Sequence, residues 1–247
     1  AFAPDECGLY FAWGETFTKD NYAWSTYSFG NNYDAITKYC NNDYYGYNGF
    51  VDNILQLEPT DDAATQIMGH NWRTPTYEEM RELIDECYWT WTSNGYGVYG
   101  YEVASPYNGN RIFLPAGGYY NESSLNQEMS VGNYWTSSLY EENPANANLL
   151  KFNSSEVMTD RFYRYYGENI RAVYTGEIPE EPGADFCGTY TATGTMRTTA
   201  GDDTTPWTVT ITQDASIDQK IHNNRHHCQC CNDDPSLQAI IILFHRS

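Results

Sequence analysis

Several groups of residues in this chain have the types and spacing to do chemistry. His226, His227, Cys228, Cys230 and Cys231 gather imidazoles and thiols, and Cys228 and Cys231 stand at the C-x-x-C spacing that suits zinc. A structural zinc site draws its second ligand pair from farther along the chain, where only His222 and His245 are at hand, so the segment reads as an irregular, oxidation-prone tail. Gly95, Gly97 and Gly100 spell G-x-G-x-x-G, but a dinucleotide site needs a strand before that motif and a helix after it. Here a Trp/Thr strand precedes it and YEVASPYNG, strand and turn, follows, so nucleotide binding is rejected. Glu78, Glu79, Glu82, Asp85 and Glu86 could pair for acid–base work, yet they fall on the polar side of an amphipathic helix, where a solvated face explains them. Asp61 and Asp62 lie in a first helical turn, where acids favour the dipole. The group left over is aromatic. Tyr163, Tyr165 and Tyr166 sit between Arg161, Arg164 and Gly167, and three rings so close together cannot all point inward. Packing beneath neighbouring strands is the alternative.

The elements that must position these residues follow from periodicity and punctuation. Thr76 and Glu79 form a capping box, after which Met80, Leu83, Ile84 and Cys87 recur at helical spacing. A shorter helix is expected from Thr60 as N-cap through Ala64, Ile67 and Met68, with Gly69 as its stop. Trp89 and Trp91 alternate with Thr90 and Thr92, which puts both indoles on one strand face, read as core. Short apolar pieces then alternate with Gly/Asn/Ser/Pro turns: Tyr99 to Val103, Arg111 to Leu114, Tyr134 to Ser138, Leu149 to Phe152 and Ile170 to Tyr174. Two early helices followed by short antiparallel strands and long loops make an α+β fold. The stretch TGEIPEEPGAD, residues 175–185, reads as an acidic Pro/Gly linker. Beyond it, Thr189, Thr191, Thr193 and Thr195, then Trp207, Val209 and Ile211, alternate as half-buried strands opening a small β domain over 186–221. Residues 222–247 break that pattern and read as an unrelated tail on a truncated domain.

Composition narrows the function classes. Against 33 acidic residues stand 13 basic ones, a net charge of -20, which repels phosphate backbones and anionic membranes and excludes nucleic-acid partners. Mean hydropathy is -0.65, and the longest apolar run, Ala239 to Phe244, is far short of the roughly 20 residues a spanning helix needs. The 23 tyrosines, 22 of them before residue 175, accompany many Asn, Gly and Ser, the composition of a recognition surface. The chain starts at Ala1 without a charged and apolar leader, so a targeting segment has been removed or the chain is a fragment. Few lysines and an acidic, Tyr/Asn-rich make-up suit an exported protein. Cys40 and Cys87 could pair, with buried free thiols as the alternative.

Six phrases carry a family resemblance: YFAWGET (10–16), TKYC (37–40), NWRTPTYEEMREL (71–83), IFLPAGGY (112–119), YWTSS (134–138) and RYYGENIRAV (164–173). In order and spacing they resemble the Fibrobacter succinogenes major paralogous domain of secreted and surface proteins in gut Bacteroidota, over roughly residues 9–174. The family's usual first strand is missing here or replaced by AFAPDECGL. That family is similar to the C-type-lectin fold in its formylglycine-generating-enzyme-like form, and to the variable ligand-binding proteins of diversity-generating retroelements. FCGTYTATGT with PWTVTITQD resembles the start of a small lipocalin-like β domain found in the same bacteria.

The resemblance implies that Trp72 and Arg73 before Pro75 anchor the helix start, that Phe113 and Leu114 are core strand, and that Trp135 is a core or rim aromatic. It also implies that residues 134–171 hold the ligand-selecting loops, with Tyr140, Asn146, Asn148, Lys151, Glu156, Arg161, Tyr163, Tyr165 and Tyr166 as candidates. Retroelement variable segments normally end their protein, whereas this one continues for over seventy residues, which argues against active diversification. Lectins of this fold bind calcium through a Pro-flanked Glu/Asn pair. Glu142, Asn143 and Pro144 have those residues in a different order, and no Trp-Asn-Asp follows, so no calcium site is expected. Formylglycine-generating relatives need a late cysteine pair, and none occurs between Cys87 and Cys187. No convergent His/Asp/Cys set precedes residue 175 either. The expectation is a non-catalytic, cofactor-free module at the cell surface or outside the cell, binding a glycan or a surface protein. An enzyme of the formylglycine-generating fold type and a surface spacer without a ligand are the alternatives.

Overall fold

Both expected helices form, and their caps decide where. The computed structural model describes residues 7–176, and beyond them the backbone of four strands between residues 188 and 211. Helix α1 (Ala63–Met68) begins later than expected: Pro59–Asp61 form a 3₁₀ turn, and the N-cap is Asp62, whose carboxylate accepts from the Ala64 N–H at 3.0 Å. Thr60 is therefore not the cap. Asp62 wins because it is buried and also takes the Thr74 N–H at 2.8 Å and the Thr74 hydroxyl at 2.7 Å, two bonds reaching twelve residues along the chain. Gly69 stops the helix at φ 93°.

Helix α2 (Tyr77–Glu86) carries the reciprocal box: Thr76 Oγ1 accepts from the Glu79 N–H at 3.1 Å and Glu79 accepts from the Thr76 N–H at 2.8 Å. Arg73 grips the same carboxylate with two N–H donors, at 2.7 and 2.5 Å, and holds Glu79 below the ordinary carboxylate range against the opposing effect of burial. Met80 and Leu83 bury the apolar side of this helix.

Among the described residues fourteen strands follow one another in short antiparallel pairings, so the content is mixed α+β and mostly β. Strand β1 (Trp72–Arg73) pairs with β10 (Val173–Tyr174) and closes the first unit on itself. A three-stranded sheet runs β2 (Tyr88–Ser93), β3 (Tyr99–Ala104), β4 (Arg111–Pro115). The three glycines of the G-x-G-x-x-G phrase make its hairpin: Gly95 and Gly97 sit at φ 83° and 90° in the turn, and a Cβ on Gly100 would lie 2.1 Å from the Leu114 carbonyl oxygen. Trp89 and Trp91 are half-buried on the core side of β2, with edge-on contacts from both to Tyr101. A small hairpin joins β5 (Tyr119–Asn121) to β6 (Ser124–Asn126). A second three-stranded sheet runs β7 (Val131–Leu139), β8 (Asn146–Asn153), β9 (Glu156–Tyr163). The Ile170 to Tyr174 strand shrinks to β10, because Gly167–Asn169 make isolated bridges to Tyr120, Phe11 and Tyr134 instead of a continuous ladder.

The core divides across the second sheet. Tyr134, Leu150 and Phe152 pack with Met80, Leu83, Val103 and Leu114, while Trp135, Leu149 and Ala147 pack with Trp13, Tyr39 and Leu139. Cys40 and Cys87 are free thiols lodged in different clusters. Among the described residues no helix is long and apolar enough to cross a membrane.

A second compact unit, Glu177–Asp233, holds β11 (Gly188–Ala192) antiparallel to β14 (Trp207–Ile211), and β12 (Met196–Thr198) antiparallel to β13 (Gly201–Asp203). Most of the acidic linker, Cys187 and the 222–247 tail with its candidate zinc ligands lie outside the described residues.

The capping box gives a direct test of α2. Thr76→Ala removes the acceptor for the Glu79 N–H and should cost about 1 kcal/mol, read as a lowered urea midpoint at unchanged slope.

Candidate functional site

The segment expected to be loops, residues 134–171, is mostly the β7–β8–β9 meander, and its ladder register sorts the candidate residues. Residues opposite one another share a face. Asn148 faces Arg161 and Asn146 faces Tyr163, so these four lie together at one end of the sheet. Tyr140 joins them, because the Arg161 guanidinium lies 5.1 Å over its ring while the Tyr140 hydroxyl donates to Glu142 at 2.5 Å. Lys151 alternates to the other face, where it pairs with Asp160 at 3.0 Å and lies 5.1 Å over the Phe162 ring. Glu156 accepts from the Asn153 amide at the opposite end of β9, about 23 Å of extended chain from Tyr163.

Asn148 is committed to the scaffold. Strand β7 shifts register between Trp135 and Leu139, and the Asn148 amide donates to the Leu139 carbonyl across the bulge at 2.8 Å. The irregularity frees β7 to bond elsewhere: Ser137 N–H donates to Pro75 at 2.7 Å and Leu139 N–H to Leu55 at 2.8 Å. The Glu142–Asn143–Pro144 oxygens serve this turn as well, with Asn143 Oδ1 taking the Ala145 N–H at 3.0 Å. Among the described residues no group of three or more His, Cys, Asp or Glu could hold a metal ion.

The three clustered tyrosines divide. Tyr163 is 41% exposed, whereas Tyr165 and Tyr166 are half-buried. Tyr165 stacks beneath Tyr163 at 5.8 Å and 14° and meets Trp24 at 5.2 Å, and Tyr166 turns toward Phe162 and Tyr119. Burial, with Tyr166 beside it, pushes the Tyr165 hydroxyl well above its ordinary range. Two other rings complete the outer surface, Tyr33 at 41% and Tyr44 at 67% exposure. Their two stretches are held side by side where the Ile36 N–H donates to the Tyr45 carbonyl at 3.0 Å, Trp24 packs on the Ile36 cluster and meets the Tyr163 ring at 5.9 Å, and the neighbouring Asp34 carboxylate raises the Tyr33 pKa. Sequence reading missed Tyr33, Tyr44 and Trp24. The signal for Tyr33 and Tyr44 was the density of Tyr and Asn between residues 27 and 49.

One buried cation fastens these pieces. Arg164 is fully buried and has no carboxylate partner among the described residues; its guanidinium donates to the Tyr39 and Pro144 carbonyls at 2.9 and 3.0 Å, to the Lys38 carbonyl at 2.9 Å and to the Tyr27 hydroxyl at 2.9 Å. It also lies 5.0 Å over the Trp13 ring. The stretch carrying Tyr33 and Tyr44, the β7–β8 turn and the end of β9 therefore meet at one side chain. Asp52 braces the first of them, accepting the Tyr39 and Cys40 N–H groups at 2.7 and 2.8 Å.

Four residues farther, Glu168 is fully buried. Burial pushes its carboxyl well above the usual range, with Asn133 and the Lys151 charge pulling the other way.

Arg164→Met should leave three carbonyls without donors and cost at least ~3 kcal/mol of stability, measured by chemical denaturation. Alkali tests the same cluster. Burial raises the Tyr27 hydroxyl from 10.0 to about 12, against the lowering effect of Arg164. A raised folded-state pKa contributes stability that is intact below the unfolded value, so melting temperature should fall as pH rises from 10 to about 12, in step with phenolate absorbance.

Comparison with family profiles, with curated proteins and with solved structures finds no match to this chain.

Proposed function

We propose that the chain is an exported or cell-surface binding module, without catalytic activity, that recognises a glycan or a surface protein. The first unit, in this reading, is a C-type-lectin-like domain of the Fibrobacter succinogenes major paralogous type, and the tyrosine-bearing end of its second sheet is the binding surface. The observation that carries the reading is that Trp24 packs both in one cluster with Ile36 and Tyr45, in the stretch that bears the exposed Tyr33 and Tyr44, and against the exposed Tyr163 more than a hundred residues away. Exposed tyrosines give large, stiff contact area with a hydroxyl to direct it, which is how recognition surfaces gain affinity at low entropic cost. The Tyr163 ring rests on a second aromatic layer, Trp24, Tyr165 and Tyr166, rather than on mobile side chains. Around them stand Asn146, Arg161 and Tyr140 as polar contacts, while Lys151 and Glu156 take no part.

The test is a glycan, mucin and surface-protein array probed with the full chain and with Tyr33→Ser/Tyr44→Ser/Tyr163→Ser. Chelator-insensitive binding that falls by at least ~30-fold in the variant, the loss of a central aromatic cluster, is the expected outcome. Equal binding by the two proteins would remove the surface from consideration.

A further inference from the structure

The chain already shows, several times over, how it holds a cation. Lys19 pairs with Glu15 at 2.6 Å and lies 5.6 and 5.8 Å over the Tyr22 and Tyr27 rings. Lys38 pairs with Asp61 at 2.6 Å and Glu58 at 2.5 Å and lies 4.9 Å over Tyr39. Lys151 pairs with Asp160 and lies over Phe162, and Arg161 lies over Tyr140, whose hydroxyl is held by Glu142. Every lysine among the described residues thus sits between a ring face and a carboxylate.

The outer tyrosine surface has the same two components and lacks the third. Tyr33 adjoins Asp34, Tyr44 adjoins Asp43, and both acids are exposed and in no ion pair among the described residues. Glu141 and Glu142 border the patch through the β7–β8 turn, which Asn41 ties to the Tyr44 stretch by donating to the Glu141 carbonyl at 2.8 Å. Against these four acids the patch has one basic side chain, Arg161, already placed over Tyr140. A ring face attracts a cation through its quadrupole, and a nearby carboxylate adds Coulomb attraction that salt screens only partly at contact distance.

We propose that this surface takes the lysine or arginine side chains of a cationic partner polypeptide, each seated against a tyrosine face with Asp34 or Asp43 beside it. The inference rests on the reading of the patch as a binding surface and narrows it to one class of partner. An acidic glycan is disfavoured by the four carboxylates. Self-association is disfavoured by the net charge of -20.

Titration calorimetry of the full chain with hexa-arginine and hexa-lysine, at ~150 mM salt so that long-range attraction is damped, tests this. Tyr33→Ser/Tyr44→Ser/Tyr163→Ser leaves the charge unchanged and should weaken binding about tenfold or more. Tyr33→Ser/Tyr44→Ser alone, which spares the Tyr163 packing on Trp24, should weaken it in the same direction. Asp34→Asn/Asp43→Asn should also weaken it, whereas Glu78→Gln/Glu82→Gln, which removes the same charge from the exposed side of α2, should not. Full binding by the tyrosine variants, an equal loss in the α2 variant, or no binding by the parent would overturn the proposal. Tyrosine-dependent array capture of a neutral glycan without hexa-arginine binding would overturn the cationic partner and leave the recognition surface standing. Absence of tyrosine dependence in both experiments would overturn both.

Discussion

A buried guanidinium with no carboxylate partner among the described residues is the constraint on which the rest of this structure depends. Removing a charge from water is costly, and Arg164 is tolerated only because four of its five planar donors find three main-chain carbonyls and a phenol oxygen between two aromatic rings. Each acceptor comes from a different stretch, or from the neighbouring residue of one. Arg164 is itself fixed by its main chain: its carbonyl accepts the Trp13 N–H at 2.8 Å, and its own N–H donates to Ala145 at 3.1 Å. Residues 7–60, which contain no helix longer than a 3₁₀ turn, owe their order to contacts of this kind more than to secondary structure.

The second sheet is the other half of the frame. Its bulge lets one strand serve three neighbours, β8 along one edge and the Leu55–Leu57 and Pro75 backbones elsewhere. Trp135 donates its indole N–H to the Phe11 carbonyl at 2.8 Å, and Trp13 donates its own to Thr136 at the same distance. These reciprocal indole bonds lock the amino-terminal stretch over β7 while both rings stay buried. Rigidity at the sheet is thereby transmitted to loops that have little of their own.

What could be read from the sequence was what is local. The α2 capping box and its apolar spacing are decided within ten residues, and so is the shared face of Trp89 and Trp91. The start of α1 was misplaced because Asp62 outcompetes Thr60 through Thr74, a partner that no local rule sees. Strand β9 was read as loop because it is an edge strand whose exposed Glu156, Met158, Arg161 and Tyr163 alternate with side chains only half-buried. The candidate site was half legible. Tyr163 could be picked out from its cluster, but Tyr33 and Tyr44 reach it through an Arg164 bond spanning 125 residues.

The placement of the lysines has a consequence for proteolysis. A lysine-specific endopeptidase must draw a lysine into its own acidic pocket with the flanking backbone extended. Lys19, Lys38 and Lys151 each already occupy an acidic, aromatic pocket within the fold, so cleavage at any of them first requires that pocket to open. Enzymes that cut after aromatic residues meet the opposite situation, since exposed tyrosines stand in irregular chain at Tyr33 and Tyr44. The folded first unit should therefore discriminate between two digestive specificities by where it keeps its charge and where it displays its rings.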